Sequence, residues 1–373
     1  FQKNNFVPRF FRGIFLGEKM KKIGSLLLCL LVAFGFASCG ESSSGTAGTF
    51  SPDVLSVDFI DVGQGDAILL SCGGESMLVD GGTNESGKTV VDYISSKKIS
   101  RLKYAVATHP HADHIGGLDD VIENVEIDDL LMPDVTAETA TFSDVLDAAE
   151  EKNLSITVPS RGDVFPLGNA AVTVLTDTEK KYGDELNNYS LVLKASLGKF
   201  SVMLTGDAET QAEDDILKSG EAVSASVLKV GHHGSRTSTG ENFLKAVSPK
   251  AAVISCGKDN DYGHPHAETL KKLEKSGVAV YRTDILGTIS VLGRENGEFE
   301  FLQSTVQPTV STEEQSTAPS EEATYILNTN SKKFHKPDCK NAADISEKNR
   351  KEFFGERQQL INEGYSPCKS CNP

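Results

Sequence analysis

Short apolar runs separated by glycine-bearing turns open the central part of the chain. Val54 to Ile60, Ala67 to Ser71 and Met77 to Asp80 are each expected to form a strand. Helical and extended patterns then alternate. Apolar spacing predicts a helix over Val90 to Ser96, a strand over Tyr104 to Thr108, a helix over Phe142 to Lys152 and a strand over Ala171 to Leu175. The order returns in the second half: strands Leu191 to Ala195 and Phe200 to Thr205, helix Ala208 to Lys218, strand Ser226 to Val230, helix Glu241 to Ala246 and strand Ala251 to Ser255. Helix Ala267 to Lys275 and strands Val278 to Tyr281 and Thr288 to Leu292 close the pattern. Two strand-rich starts, each followed by helices, predict an α+β domain with two sheets face to face and helices outside.

The flanks read differently. Met20-Lys21-Lys22 precedes an apolar run from Ile23 to Ala37, the form of a secretory signal. It ends in Phe36-Ala37-Ser38-Cys39-Gly40, which resembles the lipobox of bacterial lipoproteins, with Phe36 where leucine is usual. That resemblance implies that Cys39 is lipidated and becomes the first mature residue, so the chain is expected outside the cytoplasmic membrane on a lipid anchor. Residues 1–19 are expected to be untranslated leader, with Met20 the true start. Residues 39–53 read as a Ser/Gly-rich tether and 303–324 as a disordered linker of Ser, Thr, Pro, Glu and Gln. The expected units are therefore a leader and signal at 1–38, one large domain at 54–302 and a small module at 325–373.

Charge narrows the classes of partner. Residues 39–302 hold 22 basic and 42 acidic side chains, a net of −20. Such a body repels polyanions at long range and gains little from counterion release, which argues against tight nonspecific DNA binding. The tail from residue 325, with nine basic and six acidic residues, is the only mildly basic segment after the leader. Cys72 and Cys256 fall in apolar runs and are expected as buried thiols.

The chemistry concentrates at Thr108 to Gly117, THPHADHIGG, directly after the apolar strand. Imidazole and carboxylate suit Zn, Mn or Fe, and a tight loop at a strand end lets such side chains converge. His109 and His111 are expected to reach one metal, Asp113 and His114 a second. The spacing His-x-His-x-Asp-His resembles the signature of the metallo-β-lactamase superfamily. Further segments resemble it in order: Leu78 to Gly82 (LVDGG), Leu204 to Asp207 (LTGD) and Gly231 to Ser235 (GHHGS). The resemblance implies an αββα sandwich, in which Asp80 orients the metal loop and Asp207 bridges two metals. His233 is the favoured last ligand, with His232 behind it. A finer resemblance is to the extracellular hydrolase-like domain of the ComEC competence family. It is carried by Phe59 to Ala67 (FIDVGQGDA), Asn188 to Leu193, His232 to Ser238 (HHGSRTS) and Tyr262 to His266 (YGHPH).

One departure stands out. Many members supply a mid-chain histidine to the first metal, whereas no histidine occurs between His114 and Asp207 and Asn188 lies near its expected place. The resemblance implies a dinuclear hydrolase with two divalent ions (Zn or Mn) and Asp113 and Asp207 as catalytic carboxylates. His264 or Arg236 is expected to steady a phosphate oxygen, and His264 or His266 to contact substrate or metal, with a solvated loop the plainer reading for His266. A phosphodiester, DNA included, is the expected substrate. A cell-envelope ester such as teichoic-acid phosphorylcholine and a non-catalytic binding lipoprotein stay open.

At the C-terminus, His335-x3-Cys339 and Cys368-x2-Cys371 form a closed set of one imidazole and three thiolates, the structural zinc type. So small a segment buries little apolar surface, and a metal would supply the missing stabilisation. NTNSKKFHKPDC and GYSPCKSCNP resemble small Ada-like metal-binding modules appended to some secreted nucleases. A Cys368–Cys371 disulfide is the competing state.

Overall fold

Strand Val54–Phe59 is buried on both faces, as are Ile68–Cys72 and Phe200–Leu204. Apolar side chains point both ways from such strands, so each sheet must be covered twice: by the other sheet and by helices. The computed structural model describes residues 53–302, 323–355, 360, 365–368 and 371. The leader, the lipobox with Cys39, nearly all the tether and most of the linker lie outside the described residues.

The first sheet has eight strands, in the order Phe299–Leu302, Ile289–Arg294, Val54–Phe59, Ile68–Cys72, Glu75–Val79, Arg101–Val106, Glu126–Leu131 and Ile156–Thr157. The second has seven: Ala279–Arg282, Ala251–Ile254, Val227–Lys229, Phe200–Leu204, Leu193–Leu197, Ala170–Val174 and Val164–Leu167. Between them lies the central core, where Val57, Phe59, Leu70 and Met77 join the apolar cluster that also holds Leu193, Val202 and Phe200. Helices Gly87–Ser96, Leu118–Asn124 and Ala140–Glu151 supply Val90, Ile94, Val121 and Val145 to the outer face of the first sheet. Helices Thr210–Ser219, Glu241–Val247 and Ala267–Lys275 supply Ile216, Phe243 and Leu273 to that of the second. The expected αββα sandwich is the observed one.

Most predicted elements lie within three residues of the observed ones, but several elements had no sequence signal. Strand Glu126–Leu131 (EIDDLL) carries three acids in six residues and pairs in parallel with Arg101–Val106. Its register comes from a partner 25 residues upstream, which local pattern does not encode. Helix Leu118–Asn124 and strands Val164–Leu167 and Phe299–Leu302 are likewise short pieces defined by their partners.

The tail is a separate four-stranded sheet ordered Arg350–Gly355, Ala323–Asn328, Lys333–His335, Ser366–Pro367. One face packs Tyr325, Leu327, Phe334, Leu360 and Tyr365; the other packs Ile326, Ala342 and Ile345 beside Cys339 and Cys368.

Candidate metal centre

Strand Arg101–Val106 leads to Thr108, after which the chain turns into the short helix Ala112–Ile115. Asp80, buried and in the left-handed region (φ 61°), fixes that turn. Its carboxylate accepts from Thr108 N (2.8 Å), Thr108 Oγ1 (2.8 Å) and His114 Nδ1 (2.8 Å). His114 therefore donates through Nδ1 and turns Nε2 toward Asp207 Oδ1, 3.1 Å away. His233 does the same from the other sheet, donating Nδ1 to Ser255 O (3.0 Å). Its Nε2 lies 3.2 Å from Asp113 Oδ2 and 3.5 Å from Asp207 Oδ2. His232 and His233 hold left-handed backbone (φ 51° and 53°), a conformation costly for side chains with a Cβ. Two adjacent strained histidines aim one ring into the cluster and leave the other, His232, half-buried at its rim, 3.6 Å from Asp207 Oδ2.

His109 and His111 form a second pair of imidazoles, with His109 Nε2 3.1 Å from His111 Nδ1. Behind His109, Nδ1 meets the hydroxyls of Thr108 (3.2 Å) and Ser190 (3.3 Å), and Ser190 Oγ accepts from Asp207 N (3.1 Å). The His109 and His114 rings lie 4.2 Å apart between centroids, which puts both pairs in one site.

Asp66, to which the sequence assigns no role, is fully buried in the cluster. One ligand atom from each of Asp66, His114, Asp207 and His233 lies within 4.8 Å of the others. Asp66 however faces the Nδ1 edges, 3.4 Å from His233 and 3.9 Å from His114, where Ser255 and Asp80 are already engaged. Asp113 instead meets His233 at Nε2, the nitrogen that also faces Asp207, while His114 Nε2 faces Asp207 from the other side. Asp66 supports them from behind, and buried Lys229 holds it at 2.7 Å. The signal for Lys229 was present: it is the lone charge in an otherwise apolar strand, Ser226 to Val230. Gly65 makes room for the arrangement, since a Cβ there would lie 2.4 Å from Asp113 O.

The donor set fits a metal ion. His114 Nε2, His233 Nε2 and Asp207 Oδ1 are buried, make no hydrogen bond of good geometry and face only one another and Asp113, so a cation among them would satisfy all of them at once. Electrostatics agree. Burial opposes ionisation of Asp207 and Asp113, yet the imidazoles of His114 and His233 hold both carboxylates well below their usual range. Burial likewise disfavours charge on His114, but Asp207 and Asp80 raise it well above its ordinary value. His109 is pushed well down by burial and by His114, and so stays neutral.

The remaining candidates fall around this centre. Asn188 is buried, and its amide oxygen accepts from Glu209 N (3.3 Å) and Ala212 N (3.2 Å), holding the start of the helix after Asp207 rather than facing the imidazoles. Arg236 is exposed, and its guanidinium lies 4.0 Å from Glu268, away from the residues that line the cleft. His264 does line that cleft, an opening of about 650 Å³ bounded also by Glu85, His111, Asp113, His232 and Tyr262.

The model of the metallo-beta-lactamase superfamily matches residues 60–258, just over half of the chain, which includes His109, His111, Asp113, His114, Asp207 and His233. The chain belongs to the metallo-beta-lactamase superfamily. Within it, the chain is 34% identical over 251 residues to ComE operon protein 3 of Bacillus subtilis and 30% identical over 239 residues to competence protein ComA of Neisseria gonorrhoeae. These matches cover 62% and 63% of this chain but 32% of each relative. The superfamily domain is thus ComEC-like, and the chain corresponds to about a third of the length of those relatives. Among solved structures, the metallo-beta-lactamase fold protein YhfI from Bacillus subtilis aligns with a TM-score of 0.45 and 12% identity, covering 66% of this chain and 100% of that one. Among the described residues no helix is long and apolar enough to cross a membrane.

In the tail, one ligand atom from each of His335, Cys339, Cys368 and Cys371 lies within 4.8 Å of the others. None of the described cysteines is in a disulfide. Cys339 Sγ is 3.6 Å from His335 Nδ1, and Lys336 N donates to Cys371 Sγ at 3.4 Å. Burial and the neighbouring sulfurs of Cys339 and Cys368 push the Cys371 thiol up to about 11.

Proposed function

We propose that this chain is an extracytoplasmic, lipid-anchored phosphodiesterase that acts on nucleic acid with two divalent cations in the sandwich and one structural zinc in the tail. The observation that carries the reading is that buried His114 Nε2 and His233 Nε2 turn toward the carboxylates of Asp207 and Asp113, with Asp113, Asp207 and His233 lining the cleft. His109 and His111 would hold the first cation, Asp113, His114 and His233 the second, and Asp207 would serve both. Bound there, the cations would supply Lewis acidity toward a phosphoryl oxygen and lower the pKa of water to about 7. Asp80 and the Ser255 carbonyl, with Asp66 behind them, hold the imidazoles of His114 and His233 in the tautomer that leaves Nε2 toward the carboxylates of Asp207 and Asp113. Asp113, partly open to the cleft, takes the proton of the attacking water at its carboxylate. Similarity to competence proteins supports a nucleic-acid substrate. The acidic body and the lack of Lys or Arg among the cleft-lining residues favour a second reading, a cell-envelope phosphodiester.

Emission spectroscopy of metal content, together with turnover of bis(p-nitrophenyl) phosphate, DNA and wall teichoic acid, tests the proposal. About two ions in the body and one in the tail are expected, with turnover under Mn or Zn that falls at least about a hundredfold in Asp207→Asn. Less than one ion in the body and no turnover of any ester would leave a binding lipoprotein.

A further inference from the structure

The loop from Gly257 to His266 carries two aromatic rings at the mouth of the cleft. Tyr262 is 67% exposed, and its ring lies nearly parallel to that of His264 (interplanar 21°, centroids 5.7 Å). His264 in turn is nine-tenths buried, its Nδ1 has no partner, and its ring lies 5.4 Å from that of His232 and 6.2 Å from that of His233. Asn260 pins the pair. Its side-chain oxygen accepts from Tyr262 N (3.2 Å) and His264 N (3.0 Å), and its amide donates to Gly257 O (2.8 Å) and His264 O (2.6 Å). An exposed tyrosine whose backbone is held this firmly loses little freedom when a ligand settles on it.

We propose that Tyr262, backed by His264, is a stacking platform for a nucleobase next to the phosphate at the metal centre. The inference rests on the phosphodiesterase reading and specifies its substrate as a single strand whose bases are unpaired and open. Charge limits how such a strand could be held. No Lys or Arg lines the cleft, whereas Glu85, Asp113 and Asp207 do, so phosphate ion pairs are not what holds a strand here. Base-to-aromatic stacking is indifferent to that acidity and to sequence, and each stacked base strengthens single-strand binding appreciably. Tyr262 is the one aromatic residue other than histidine among the cleft-lining residues. A choline headgroup is held by a cage of several such rings, and a single platform suits a flat base better.

The test is binding of fluorescent 12-mers by anisotropy to the full chain with its metals, using cleavage-resistant phosphorothioate strands. One strand is oligothymidine and the other an abasic strand of equal length and charge. The wild type is expected to bind oligothymidine roughly tenfold to a hundredfold tighter than the abasic strand. Tyr262→Ala is expected to bring that ratio close to one, and Tyr262→Phe to keep it. Added salt is expected to weaken oligothymidine binding only shallowly, because few phosphates are paired with basic groups. A ratio near one in the wild type, a ratio that survives Tyr262→Ala, or displacement by phosphorylcholine but not by thymidine monophosphate overturns the platform. If the ratio holds while no phosphodiester is cut, the platform stands and the hydrolytic reading fails.

Discussion

Asp66 and Lys229 meet at 2.7 Å with neither side chain open to solvent, one from the loop after the first strand and the other from the third-ranked strand of the opposite sheet. This ion pair ties the two halves of the sandwich together directly behind His233. It also leaves Asp66 Oδ1 facing the imidazole Nδ1.

Removing one partner is therefore expected to cost more than removing both. Lys229→Met strands a buried carboxylate and is expected to cost about 3–5 kcal/mol in urea unfolding, with much of that recovered in Asp66→Asn/Lys229→Met. Asp66→Asn alone is expected to weaken metal binding about 10- to 100-fold in competition with a chromophoric chelator. Equal costs for the single and double variants would remove the pair from the account.

Metal uptake is expected to release protons. Burial disfavours a charged His233, but Asp207, Asp113 and Asp66 lift it to about 9, so at neutral pH the metal-free ring carries a proton that a cation must displace. Affinity should rise with pH up to about 9. Calorimetry in buffers of different ionisation enthalpy measures the protons released. Uptake without proton release contradicts this.

Glu213 offers a pH-dependent stability independent of the metal centre. Burial pushes its carboxyl up to about 7, against the opposing pull of N–H bonds from Gly240 (2.8 Å) and Thr239 (2.6 Å). Because the folded value is raised, the contribution is fully present below the ordinary 4.5 and is lost as pH climbs through about 7. Urea unfolding of wild type and Glu213→Gln between these limits should show a difference that varies with pH by up to ~3 kcal/mol, since the amide does not titrate. A constant difference would argue against it.

For the tail, one zinc is expected per module, released to a chromophoric indicator when the thiolates are blocked with a mercurial. Cys339→Ser or Cys368→Ser is expected to abolish that release and expose the tail to protease, because so small an apolar core is not secure alone. Protease resistance unchanged without zinc would make the ion dispensable.

Much of the site was legible before any fold was known. His109, His111, Asp113 and His114 lie in one short run, and the residues around Asp80, Asp207 and His233 carry recognisable local patterns. Asp66 and Lys229 were not legible as partners, because a lone buried lysine and an aspartate 163 residues away acquire meaning only when two sheets close on each other. Asn188 shows the converse: its place in the chain suggested a stand-in ligand, yet its carbonyl is spent on a helix start. Arg236 has the right chemistry for a phosphate but leans toward Glu268.

Local chemistry along the chain determined which residues could bind metal, since ligand type and close spacing are properties of a short segment. It also determined that strands and helices alternate, since burial on one or two faces sets the apolar period. The tertiary structure alone decided that strand Ile289–Arg294 crosses back to pair with Val54–Phe59, that His233 rather than His232 enters the cluster, and that Asp66 stands behind it. Those outcomes depend on contacts between residues far apart in the chain and on the direction a strained backbone gives a side chain, and neither is encoded in a local pattern.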